Sequence, residues 1–273
     1  MSYCAIHITP DSTLCSANNC LQSCLSLEAL YRIADAYNKK KKKKLIKFNS
    51  STSKIELWKL IQKEMNDVCK KGDEVCWIAK SGADKKLVDE HFKPKKPKGK
   101  YTWLSNVDIE KLMIGQQRKH SPYFKFFGPV PSDFDKIITE LNGSNLKLTP
   151  EIRKVGMITN LDPHHKSGSH WTAFFLDLDN KSIEYFDSLG DKPFKTMDTY
   201  MKNLKAWLKM NMELDSKIKI NRKIFQKNFD GDCGIWSVWY IIQRLSGKSF
   251  EEIVDMDFAE EKLNKCRDVY FRK

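Results

Sequence analysis

The stretch GSHWTAFFLDLDNKSIEYFDSLG, Gly168–Gly190, decides how the rest of the chain is read. HWTAFFLDL (His170–Leu178) and SIEYFD (Ser182–Asp187) are rich in β-branched and aromatic residues, and the DNK between them has the composition of a hairpin turn. A hairpin brings the start of its first strand beside the end of its second. His170 and Asp187 would then share one end of the sheet, where a carboxylate can fix the imidazole tautomer and stabilise its cation. His170 follows the flexible SGS segment and opens its strand, so it is both held and reachable, as a general base must be. His164 and His165, inside DPHHKSG, read as exposed loop residues.

Toward the C-terminus, KIKINRKIF (Lys217–Phe225) alternates as a half-buried strand does, and Gln226 ends it with an amide donor suited to an oxyanion. The loop QKNFDGD then leads to Cys233, which opens the apolar helix CGIWSVWYIIQRL. At a helix start the unpaired backbone N–H groups and the dipole favour a thiolate and an oxyanion beside it. A solitary buried cysteine ordinarily packs as a small hydrophobe. The converging His170, Asp187 and Gln226 give this one a different meaning. Around these runs, periodicity predicts helices over Trp103–Gln116 (capped by Ser105 or Asn106), Asp191–Met212 and Phe250–Phe271, and a strand over Gly156–Leu161. Strands clustered between helices indicate an α+β fold.

The N-terminal third differs in kind. Apolar residues recur at helical spacing between Leu21 and Asn38, with Ser26 as N-cap, and again over Lys54–Val68. Lys39–Lys44 is a run of six like charges, which belongs at a helix end or in a solvated loop. Residues 1–100 hold 21 Lys and Arg against 11 Asp and Glu, most of the net charge of +13. That surplus suits polyanions through counterion release, or simply a well-solvated surface. KPKKPKGK (Lys93–Lys100) cannot hold regular structure and reads as a linker. The expected organisation is a basic, mainly helical extension (1–92), a Lys/Pro linker (93–100) and a domain carrying the chemistry (101–273).

Eight cysteines at irregular spacing, without a secretory signal, point to reduced thiols. The absence of any C-x-x-C pair argues against structural zinc, so neither a metal nor another cofactor is expected. No apolar run is long enough to span a bilayer, and the expectation is a soluble chain on the cytoplasmic side of membranes.

GSHWTAFFLDLDNKSIEYFDSLG, then Gln226, then DCGIW (Asp232–Trp236), resembles the clan of ubiquitin-like-protein (SUMO) proteases and the adenovirus maturation protease, in the chain order His, acid, Gln, Cys. The basic N-terminal extension resembles the large-DNA-virus branch of that clan, to which the African swine fever virus polyprotein protease and the poxvirus core protease belong. The resemblance covers about residues 101–273. It implies a papain-like α+β fold whose central mixed sheet packs on the nucleophile helix. It also implies Cys233 as nucleophile, His170 as base, Asp187 as orienting acid and Gln226 as oxyanion donor. Trp171, Asp232, Gly234 and Trp103 (of WLSN) would bind substrate. The implied activity is a cysteine endopeptidase that cuts after Gly-Gly or Ala-Gly during virion maturation, in the virion and host cytoplasm. Three rivals share the reading. They are a SUMO or ubiquitin-like isopeptidase of cytoplasm or nucleus, an acetyltransferase on the same fold, and a module binding nucleic acid or core protein through the basic region.

Overall fold

A computed structural model describes residue 4 and residues 23–98, 103–144, 146, 148–227, 231–258 and 260–272. They fall into two compact units, one of residues 95–271 joined by Cys4, the other of residues up to 94 together with Arg272.

The larger unit is built on a five-stranded sheet of β1 (Phe124–Val130), β2 (Lys154–Asn160), β3 (Trp171–Asp177), β4 (Ser182–Phe186) and β5 (Lys217–Ile220), in that spatial order. The two outer pairings are parallel and the two inner ones antiparallel, so the sheet is mixed. Every residue of β3 and β4 is buried, which hides any in–out polar alternation in the sequence. The alternation is instead between two apolar layers. Ala173, Phe175 and Phe186 face a cluster containing Trp236, Trp239 and Ile241, whereas Phe174, Leu176, Ile183 and Tyr185 face Met197, Tyr200, Met201 and Leu204. The first layer belongs to α8 (Cys233–Leu245) and α5 (Asn106–Lys119), the second to α7 (Lys195–Met212). Because α8 lies inside, all thirteen of its residues are buried, and it is apolar all round.

One buried polar cluster fixes α8 on the hairpin. Arg244 donates to Glu184 at 2.7 Å and to Asp177 at 2.9 Å, while Tyr240 Oη donates to Glu184 at 2.6 Å. All three bonds tie the C-terminal half of the helix to β3 and β4.

In the smaller unit, α1 (Leu27–Lys41), α2 (Lys54–Met65), α3 (Glu74–Ser81) and α4 (Lys86–His91) enclose their own core, including Leu30, Ile33, Leu57, Ile61, Trp77 and Leu87. Ser26 caps α1 as expected, its hydroxyl accepting from Ala29 N. Lys39–Lys41 close the helix, and all six lysines of the run are exposed.

The structure corrects several expectations. β5 is four residues long, not nine, because the chain leaves the sheet at Asn221, whose side chain binds the carbonyls of Asp187 and Lys223. The last helix is two helices, α9 (Phe250–Asp255) and α10 (Glu260–Tyr270). The thiols are not all reduced. Cys4 is bridged to Cys266 and Cys69 to Cys76, and Cys24 is also disulfide-bonded, leaving Cys233 as the free cysteine among the described residues. Strand β1 was missed, since FKFFGPV carries both Gly128 and Pro129 and its ladder slips between Phe126 and Pro129. Helix α3 and the short α6 (Phe134–Ile137) were missed as well.

Candidate active site

The hairpin places its two polar ends as the sequence suggests. Ala173 pairs with Phe186, so His170, one residue before β3, and Asp187, one residue after β4, meet at the same sheet end. His170 Nε2 lies 2.7 Å from Asp187 Oδ1. Leu189 N donates to that same carboxylate oxygen at 2.8 Å, and Asn221 holds the Asp187 backbone carbonyl at 2.6 Å. Asp187 is therefore fixed from three sides and only 1% exposed.

His170 is fixed from its own loop. Asn160 Oδ1 accepts from the backbone N–H groups of Asp162 and Ser169, and Gly168 (φ +93°) packs so closely on Asn160 that a Cβ would sit 2.8 Å from its amide nitrogen. Leu161 N then donates to the His170 carbonyl.

Cys233 begins α8, close enough to His170 for its side chain to act on the imidazole's affinity for a proton. Burial alone would lower the affinity of this imidazole for its proton, but hydrogen bonds and charge from Asp187 and Cys233 outweigh it and raise His170 to about 9. The ring is thus held as imidazolium at neutral pH, in a residue 9% exposed, and Cys233 is 2% exposed.

Around the sulfur the backbone is packed tightly. Ser237 Oγ, one turn along α8, lies 2.9 Å from the Cys233 carbonyl and 3.1 Å from the Trp171 carbonyl, joining the helix start to the strand start. Trp171 Nε1 donates to the Leu104 carbonyl at 3.0 Å. A Cβ on Gly234 would meet Leu104 at 3.1 Å and Trp171 at 3.3 Å, so a side chain here would have to push these neighbours back by a few tenths of an ångström. Gly231 has φ +79° and lies directly under the Trp103 indole. Trp103, Leu104 and Trp171 line a groove of roughly 530 Å³ that is also walled by Pro131, Asp162 and His164.

One of the expected substrate contacts is placed differently. Asp232 turns its carboxylate to the Arg267 guanidinium and is 1% exposed, which removes it from any substrate surface. Gly234 packs against Leu104 and Trp171, which line the groove. Gln226 is not at a strand end. It sits in the loop after β5, where its backbone N–H binds the Ser188 carbonyl and its Oε1 accepts from Ser188 Oγ at 3.0 Å, so the donor end of the amide points away from Ser188. Part of the expected 226–233 loop, residues 228–230, lies outside the described residues. Sequence reading missed Asn221, Ser237, Leu104 and Arg267. Only Leu104 had a signal, its place within WLSN.

A thiol at a helix start, a hydrogen-bonded imidazole and a buried carboxylate on a mixed sheet define a class, the papain-like cysteine proteases. Comparison with known proteins narrows it. Residues 141–272 match the model of the Ulp1 protease family, C-terminal catalytic domain. A protein of Acanthamoeba polyphaga mimivirus named as a thiol protease is 30% identical over 273 residues, spanning 92% of this chain and 89% of that one. The SUMO-1 cysteine protease of African swine fever virus is 27% identical over 206 residues, spanning 68% of this chain and 74% of that one. In fold, the chain is similar to the crystal structure of the African swine fever virus protease, with a TM-score of 0.65 over 98% of both chains at 21% identity. The chain belongs to the Ulp1 protease family and is a cysteine protease.

Proposed function

We propose that Cys233 is the nucleophile of an endopeptidase that cleaves viral structural or core polyproteins after Gly-Gly or Ala-Gly. The observation that carries this reading is the contact chain Asp187–His170–Cys233. The Cys233 thiolate attacks the scissile carbonyl carbon, and the carbonyl π electrons move onto oxygen. The first N–H groups of α8 and the Gln226 amide stabilise that oxyanion. His170, as imidazolium, gives its proton to the departing amine as the C–N bond breaks, leaving an acyl-enzyme. Neutral His170 then takes a proton from water, whose oxygen displaces the sulfur and releases the carboxylate product. Asp187 keeps the ring oriented throughout.

Small residues before the cut are what the resemblance to the family implies. Trp103, packed on Gly231, and Trp171, bonded to the Leu104 carbonyl, line the groove that would receive them. Viral relatives support maturation of virion proteins as the setting, and virion and host cytoplasm are the places that this reading proposes. The exposed Lys39–Lys44 run supports a polyanion contact by the N-terminal unit, which would show as salt-dependent DNA binding by the full chain.

The test is hydrolysis of a Gly-Gly-X peptide beside a SUMO conjugate, by wild type and by Cys233→Ala. Peptide cleavage that vanishes in the variant supports the endopeptidase reading. Cleavage of the conjugate alone would replace it with an isopeptidase, and full activity in the variant would end it.

A further inference from the structure

The triad makes no use of the two histidines of DPHHKSG. His164 and His165 are exposed, but they are not separate, since their rings pack edge to face with centroids 5.2 Å apart. They lie against Asp133, which comes from the loop after β1. The two loops are already stitched together. Ser132 N donates to the Asp162 carbonyl, His164 N donates to Asp133 Oδ1 at 2.9 Å, and His164 Nδ1 is 2.6 Å from Asp133 Oδ2. One ligand atom from each of Asp133, His164 and His165 falls within 4.8 Å of the others, the one such group among the described residues.

We infer that Asp133, His164 and His165 form a binding site for a divalent transition metal of the zinc class. Two imidazoles and a carboxylate are the donors such ions take, and three protein ligands leave a fourth, open position for water. Ligands about 2 Å from a tetrahedral ion stand roughly 3.4 Å apart. The His164–Asp133 contact must therefore open and His165 must close. Both are side-chain movements open to exposed residues, on a frame the backbone bonds keep fixed. The site uses no thiol, so the lack of a C-x-x-C pair has no bearing on it. His164 and Asp162 also wall the groove that holds Trp103 and Trp171, and the same loop runs on to His170. A bound ion would thus clamp the outer rim of the groove.

The test uses the full chain carrying Cys233→Ala, so that the thiolate cannot take the ion. Zn²⁺ binding is measured by calorimetry and thermal shift, and Co²⁺ by its visible ligand-field absorption. The expected result is one Zn²⁺ per chain, a raised melting temperature and a tetrahedral Co²⁺ spectrum. Adding His164→Ala with His165→Ala, or Asp133→Asn alone, should each weaken binding at least roughly tenfold. All three substituted residues lie near the surface, so these variants should fold. No binding, or binding unchanged in the histidine variant, would overturn the site. Loss with the histidines but not with Asp133→Asn would overturn it as a three-ligand site.

Discussion

The two ends of α8 do opposite work with the same materials. At its C-terminal end Arg244 is enclosed by Glu184 and Asp177, and every charge there has a partner. At its N-terminal end Asp232, which could have capped the helix with its side chain, does not. Its carboxylate is drawn to Arg267 instead, and the first turn is left without a side-chain cap. A cap contributes about 1 kcal/mol, so leaving it out is a small loss in stability. What it leaves is a set of backbone donors beside Cys233 that an anion can use. One end of the helix is built for rigidity and the other for chemistry, and substitutions should separate them. The largest separation is at the sulfur. Cys233→Ala and His170→Ala should each lower kcat/KM on a peptide substrate by at least about 10³-fold. Cys233→Ala should leave the melting temperature unchanged because it removes little packing, whereas His170→Ala also takes the partner from the buried Asp187 carboxylate and should lower it. A steep loss of stability in Cys233→Ala would mean that the sulfur is chiefly a packing element.

At the other end the balance should reverse. Arg244→Met removes the single guanidinium facing Glu184 and Asp177, leaving two buried carboxylates short of a partner. Unfolding by urea should show a loss of about 3–5 kcal/mol, while activity per folded molecule stays within a few-fold of wild type. Between the two extremes stands Arg267, whose guanidinium holds Asp232 one residue before Cys233. We expect Arg267→Met to lower kcat by roughly 10- to 100-fold with little change in KM, since small misplacement of a reacting group is costly. Arg267→Lys should recover part of that loss. Parallel falls in kcat and stability with no rescue would reduce Arg267 to a packing residue.

The same contrast explains how much could be read from the sequence. The hairpin and the helix start were legible because they rest on local chemistry, namely a polar turn between β-rich runs and a Gly-Asp loop before an apolar run. His170, Asp187 and Cys233 inherit their positions from those local signals. Asn221, Ser237 and Arg267 were not legible, because each acts through one long-range contact that has no periodicity. Asp232 is expected on the substrate side because it matches the family's D-C-G core, yet a partner 35 residues away turns it inward. The even spread of apolar residues in KIKINRKIF favoured a long strand, but Asn221 ends it by binding two carbonyls with its side chain. The disulfide between Cys4 and Cys266 spans 262 residues and could not be inferred from spacing at all.

The finest test of the reactive end is its response to pH. The folded chain raises His170 from its ordinary 6.5 to about 9, against the effect of burial and through Asp187 and Cys233. Since the protonated ring is the one favoured by folding, its contribution to stability is complete below about 6.5 and is lost as pH rises through about 9. Acylation needs that same proton for the leaving amine, so kcat/KM should fall on the alkaline side near pH 9. Asp187→Asn keeps a hydrogen-bond acceptor for the ring but removes the charge. The folded value should drop toward the ordinary one and carry the alkaline limb to lower pH by about one unit or more. An alkaline limb that stays in place in Asp187→Asn would mean that the carboxylate does not govern the imidazolium. A limb that moves would tie the uncapped helix end, the buried carboxylate and the proton donor into one electrostatic unit, while substitution at the distant Arg244 end should leave the profile unmoved.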